Sequence, residues 1–180
     1  MAGATMPDLA SADTDAPTRR LQVDILQADD KWSALENASD LIQHAAQAAI
    51  LDGPAAPSAG TVDVSILLEG DAALQVLNKQ WRGKDKPTNV LSFPAPPLPV
   101  AVDLPGAEMS LGDIALSYDT LAAEALNEGK SLAAHLQHLV VHGMLHLQGY
   151  DHETPDEAEE MEALERRSLA SLGVADPYES

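Results

Sequence analysis

Residues 138–152 read HLVVHGMLHLQGYDH, the most informative stretch of the chain. His142 and His146 are four positions apart, so on an α-helix they share one face, about 40° apart and one turn removed. Apolar side chains surround them, which predicts a helix over 131–147 packed on a core. Gly149 stands where a helix ends on a left-handed residue. The chain can then turn back and deliver His152 from outside the helix to the same point. Three neutral imidazoles with positions left open match the catalytic type of zinc site; a structural site closes all four. Ordinary histidines on an amphipathic helix would explain the pair, but not the glycine stop and the third histidine just beyond it. The expected ligands are therefore His142, His146 and His152, holding one Zn2+ per chain.

Toward the N-terminus, a helical pattern begins at about Asp119 and breaks near Gly129, and residues 111–117 (LGDIALS) read as a strand. Five of the twelve prolines fall between Pro94 and Pro105, which forbids regular structure and marks a long surface loop. Residues 88–93 (TNVLSF), 61–69 (TVDVSILLE) and 21–28 (LQVDILQA) read as three further strands. Between them, a helix over 72–81 has Asp71 as its expected cap and Gly83 as its stop. An Ala-rich helix over 31–51 ends at Asp52-Gly53-Pro54, and a Pro/Ala/Ser/Gly linker follows it. Residues 1–20 show no periodicity and no charged start before an apolar run, so they read as a disordered tail and not a secretory signal. Downstream, Thr154-Pro155-Asp156-Glu157 combines a capping box with proline at the first helical position. Met161, Leu164, Ser168 and Leu172 give that last helix one buried edge. Together these segments predict an α+β domain over 21–177: a small mixed β-sheet of about four strands packed with helices.

The length, 180 residues, suits one such domain, which buries about 70% of the surface its unfolded chain exposes. There are 29 acidic against 10 basic residues, a formal charge of −19, which argues against a general cationic nucleic-acid binder and a polybasic membrane protein. No cysteine is present, so disulfides, thiolate zinc sites and a cysteine nucleophile are excluded. No apolar run is long enough to span a membrane. A soluble cytoplasmic protein is expected.

The spacing H-x-x-x-H-x-x-G-x-x-H equals the ligand pattern of the metzincin proteases. There the residue after the first histidine is the glutamate base of peptide hydrolysis, and here it is Gly143. The metal geometry is kept without the protease base, so a metzincin-like zinc site at a helix end with different chemistry is expected. HGMLHLQGYDH resembles the signature of the YbeY-type single-strand-specific endoribonucleases. Residues 77–94 (LNKQWRGKDKPTNVLSFP), the strand LGDIALS and the helix YDHETPDEAEEMEALE resemble that family as well. The similarity covers roughly residues 21–177. It implies an α+β fold, zinc on three histidines, and work on ribosomal RNA and the small ribosomal subunit, notably 16S rRNA 3′-end maturation and rRNA quality control. Single-stranded RNA is then the substrate, with no DNA and no membrane expected. Asn89 departs from the commonest family form, which has aspartate there.

A chain so acidic must still attract a polyanion. Lys79, Arg82, Lys84 and Lys86 lie within eight positions, opposed only by Asp85, whereas eight acids with no lysine or arginine crowd residues 151–165. The three lysines are the candidate substrate-binding residues, against the plainer reading of a solvated turn. Arg82 is the candidate catalytic residue, because a guanidinium can hold a phosphate bidentately and offset charge developing in the transition state. The resemblance places an arginine at this position close to the metal. Trp81, Phe93 and Tyr150 could stack bases, although core packing is the expected role of each. His138 matches a histidine common in the family, His135 reads as structural, and Asp151 or Asp113 is a candidate acceptor for a ligand imidazole. The alternatives to an endoribonuclease are a metallopeptidase and a non-catalytic ribosome-assembly factor with structural zinc.

Overall fold

The computed structural model describes residues 19–50, 60–96 and 108–179. Its sheet comprises β1 (Arg19–Gln27), β2 (Gly60–Glu69), β3 (Val90–Pro94) and β4 (Glu108–Ser117) in the order β1-β2-β4-β3. β1, β2 and β4 run parallel, with Ile25, Ile66 and Ile114 in register, and β3 pairs antiparallel with β4 at the edge. The helices are α1 (Ala38–Ala49), α2 (Asp71–Arg82), α3 (Tyr118–Asn127), α4 (Leu132–Leu147) and α5 (Pro155–Ser171). This is the α+β fold with a four-stranded mixed sheet that the residue pattern predicts. No helix among the described residues is long and apolar enough to cross a membrane.

Period-two alternation decides which face of the sheet holds the core. Val62, Val64, Ile66 and Leu68 of β2 are fully buried against α1, α4 and α5, while Ser65 between them is exposed. The other face carries a second, smaller cluster of Leu74, Leu91 and Ala115 under α2. The sheet thus separates α2 from α4, and that separation divides the functional residues into two groups.

Two local expectations fail for identifiable reasons. The helix expected over 31–51 splits into a 3-10 turn (Asp30–Ala34) and α1. Trp32 is buried and donates its indole N–H to the Glu69 carbonyl at 2.9 Å. That anchor fixes the first turn, and Leu35 follows in an extended conformation before α1 begins. Asp71 does not cap α2. Gly70 is the cap residue, the Asp71 N–H donates to Asp119 Oδ2 at 3.0 Å, and the Asp71 carboxylate accepts from Ser117 and Thr120. The cap is supplied from across the fold by α3.

The signals around α5 hold. Thr154 and Glu157 form the reciprocal capping box with Pro155 at the start, and Met161 and Ser168 are buried. Arg19 and Arg20, assigned to the tail by the sequence, begin β1. The rest of that tail, the linker after α1 and most of the proline-rich loop lie outside the described residues.

Candidate metal centre

α4 carries His142 and His146 on its last two turns. Its end follows from Gly149, which takes φ +96°. The Gly149 N–H donates to the His146 carbonyl at 3.0 Å and the Tyr150 N–H to the Leu145 carbonyl at 3.1 Å, a Schellman closure. That turn reverses the chain and brings back His152. One ring nitrogen from each of His142, His146 and His152 then lies within 4.8 Å of the others. The three residues singled out by spacing alone are the three that meet.

The ring orientations matter more than the proximity. His142 Nδ1 donates to Glu165 Oε1 at 2.6 Å, and His146 Nδ1 donates to the Tyr150 carbonyl at 2.9 Å. Both acceptors require the proton on Nδ1, which leaves Nε2 as the ligand atom. The two Nε2 atoms face each other at 3.1 Å. With both rings neutral, two lone pairs point at one spot, an arrangement that a cation satisfies. Burial, reinforced by His142 and His152, lowers the pKa of His146 and favours its neutral form. The residues present therefore fit a metal ion: three imidazoles, two of them already oriented by hydrogen bonds of the kind that accompany metal-bound histidines.

Glu165 is the residue the sequence reading missed. It is 1% exposed, in the middle of α5, and takes the acceptor role proposed for Asp151 or Asp113. Asp151 instead accepts from the His152 N–H at 2.8 Å, and Asp113 is exposed on β4. Burial alone would raise the Glu165 pKa. His138, 3.6 Å away, together with His142 and Tyr178, which donate to its oxygens, outweighs burial and holds the carboxyl well below the usual range. Tyr178 lies beyond the expected domain boundary at 177. Its hydroxyl donates to Glu165, and its ring lies 5.0 Å from the Arg166 guanidinium. Burial and then the Glu165 charge push the Tyr178 phenol up, so it remains a donor. A signal for Glu165 did exist: a carboxylate four residues after Met161, on the stripe that Met161 and Ser168 define. A cleft of about 230 Å³ opens here, lined by His142, His152, Met161, Glu162, Glu165 and Tyr178.

Gly143 is small because α4 presses on the sheet there. A Cβ at this position would stand 3.0 Å from Ile114 Cδ1 and 3.2 Å from Ser92 Oγ. A larger residue here, the glutamate of the protease pattern included, would require Ile114 and Ser92 to give by a few tenths of an ångström. His135 is buried and its Nε2 lies 2.8 Å from Glu124, as a structural histidine would. Asn89 joins the same group. Its amide donates to Glu124 Oε2 at 3.0 Å, where an aspartate would set two carboxylates together. His138 sits 3.6 Å from Glu165, longer than a hydrogen bond.

The basic residues lie elsewhere, at the C-terminal end of α2 on the opposite face of the sheet. Arg82, Lys84 and Lys86 are exposed and have no acidic partner among the described residues. Lys79 does have one: its ammonium is 2.8 Å from Asp85. Tyr150 and Phe93 are half-buried on the two apolar clusters, as core packing predicts. Trp81 is the exception, at 64% exposed.

An α+β domain that gathers three imidazoles at a helix end, two of them oriented by hydrogen bonds, defines a class, the proteins equipped to hold a metal ion at an open histidine site. Over residues 23–173 the chain matches the family described as Endoribonuclease YbeY, and it belongs to that family. It is 52% identical to the "Endoribonuclease YbeY" of Azorhizobium caulinodans, over 88% of this chain and 96% of that one. The protein of the same description from Chelativorans sp. is 49% identical over 91% and 97%. A solution structure from Thermotoga maritima is similar at a TM-score of 0.48, with 24% identity over 88% of this chain and 100% of that one.

Proposed function

We propose that this chain is a zinc-dependent endoribonuclease that cleaves single-stranded ribosomal RNA in the cytoplasm, at the 16S 3′ end of the small ribosomal subunit. Membership of the family makes it an RNA-cleaving hydrolase. The choice of zinc rests on the donor set, three imidazoles without thiolate or carboxylate ligands. One observation carries the reading: the facing Nε2 atoms of His142 and His146, with both Nδ1 positions already committed.

A zinc ion held by His142, His146 and His152 would supply Lewis acidity, for activating water and for polarising a phosphate oxygen. The chain's own groups do the rest. His142, His146 and His152 hold the ion, and Glu165 and the Tyr150 carbonyl fix two of the rings. Arg82 engages the scissile phosphate and offsets charge in the transition state. Lys84 and Lys86, and Lys79 once it leaves Asp85, attract the backbone. Acids line the cleft on the α5 side, so the polyanion approaches from the α2 side.

The test is a 16S 3′-terminal RNA, single-stranded and in duplex, incubated with zinc-loaded protein with and without chelator. Cleavage of the single strand that chelation abolishes and zinc restores is the expected result. Cleavage insensitive to chelator removes the metal from the reaction. Hydrolysis of peptides without RNA cleavage would establish the metallopeptidase, and ribosome binding without cleavage the assembly factor. A 2′-deoxy substitution at the scissile nucleotide should be tolerated if water is the nucleophile; complete resistance assigns that role to the 2′-hydroxyl.

A further inference from the structure

We infer that Trp81 and Phe93 form a stacking platform for an unpaired RNA base, an inference that rests on the RNA-cleaving reading above. The chain has two tryptophans with opposite fates. Trp32 is fully buried and its N–H is bonded, whereas Trp81 is 64% exposed at the end of α2. Phe93 holds Trp81 from the side, with centroids 5.8 Å apart and planes at 63°, so it steadies the indole without covering it face to face.

What should occupy that ring follows from its surroundings. Arg82, Lys84 and Lys86 follow Trp81 directly, exposed and without acidic partners among the described residues. The loop bearing them is not loose. α2 closes on left-handed Gly83, the Lys84 N–H donates to the Asn78 carbonyl at 3.3 Å, and the buried Asn78 amide donates to the Lys86 carbonyl at 2.8 Å. A fixed aromatic surface beside unneutralised cations, in a chain of charge −19, is complementary to a ligand with flat apolar faces and an anionic backbone. A single-stranded nucleic acid has both. A duplex keeps its bases stacked inside, so only an unpaired base can use Trp81, and the platform supplies a physical basis for single-strand preference.

The platform also sits where it can act on the metal centre. Neighbouring side chains of a strand point to opposite faces. Phe93 meets Trp81 on one face of β3, and Ser92 donates to the Gly143 carbonyl, beside His142, on the other at 3.3 Å. β3 is one of the two edge strands, so an RNA strand crossing that edge passes from platform to metal without crossing the sheet.

The test reads tryptophan fluorescence in stopped flow, before cleavage, as zinc-loaded protein binds oligoadenylate. Buried Trp32 is a silent background. Wild type should quench on binding, and Trp81→Ala should bind about 5- to 150-fold more weakly, the range for losing one stacked base. Trp81→Phe should recover most of the affinity. Inorganic polyphosphate, which has charge but no base, should bind wild type and Trp81→Ala equally and produce no quench. Wild type that binds and cleaves RNA while Trp81→Ala binds it as tightly overturns the platform and leaves the endoribonuclease reading standing. Equal weakening toward polyphosphate also overturns it, because the loss would lie in the cations. Wild type that neither binds nor cleaves single-stranded RNA overturns both.

Discussion

The α5 side of the histidine cluster and the end of α2 are built in opposite ways. On the α5 side the groups that orient the rings are paired before any ligand arrives: Glu165 is buried, ionised and bonded to His142 and Tyr178, and the Tyr150 carbonyl occupies His146. At the end of α2, three cations face solvent with no acidic partner among the described residues, and the Trp81 indole is exposed with Phe93 only at its side. The difference teaches what each region must do. A metal site needs ligand atoms fixed in advance, because misplaced rings cost affinity directly. A surface for a long, flexible polyanion needs open charge and open rings, because its partner brings the complementary groups.

Four variants would break or sharpen that contrast, and a fifth, away from both regions, is its control. His152→Ala should have the largest effect, lowering zinc affinity more than about 10²-fold, beyond what loss of a supporting hydrogen bond costs. His152 is exposed, so metal-free unfolding should barely move; competition against a chromogenic chelator measures the affinity, and full zinc occupancy in the variant would remove His152 from the ligand set. Arg82→Ala should slow RNA cleavage about 10²-fold or more with zinc content and thermal unfolding unchanged, comparable to losing one oxyanion donor. Wild-type turnover in that folded variant would sever the α2 end from the chemistry.

Glu165→Gln should weaken zinc binding about 10- to 100-fold, and Tyr178→Phe by less, since its hydroxyl acts one bond further out. The chelator competition reads both, and unchanged affinity in Glu165→Gln would show that the α5 side is packing alone. The smallest effect belongs to Asp119, remote from both regions. The Lys31 ammonium, and then the Asp71 N–H, hold its pKa below the usual carboxylate value. Its contribution is therefore complete above the ordinary carboxylate range and drains away as pH falls through the lowered value. Asp119→Asn should lose stability at neutral pH and show a flatter acid limb, read by thermal unfolding between about pH 7 and about pH 3.

The sequence by itself determined everything that depends on short spacing. The i, i+4 histidines, the glycine stop and the return of His152 all lie within fifteen residues, so helix geometry alone brings them together. Strand alternation marked the four strands, and the capping box marked the start of α5, again by local rules. What only the tertiary structure decided are the pairings between distant segments. Glu165 reaches His142 across 23 positions, and its carboxylate reads as one more acid in an acidic helix until α5 is docked on α4. Asp119 displaces Asp71 as the cap of α2, and Trp32 breaks the first helix, because each answers to a group on another element. Trp81 is exposed and Phe93 half-buried because α2 covers only part of the outer sheet face. Periodicity records which face of an element is apolar. Which neighbour arrives to cover that face, and where the cover stops, is set by packing the whole chain.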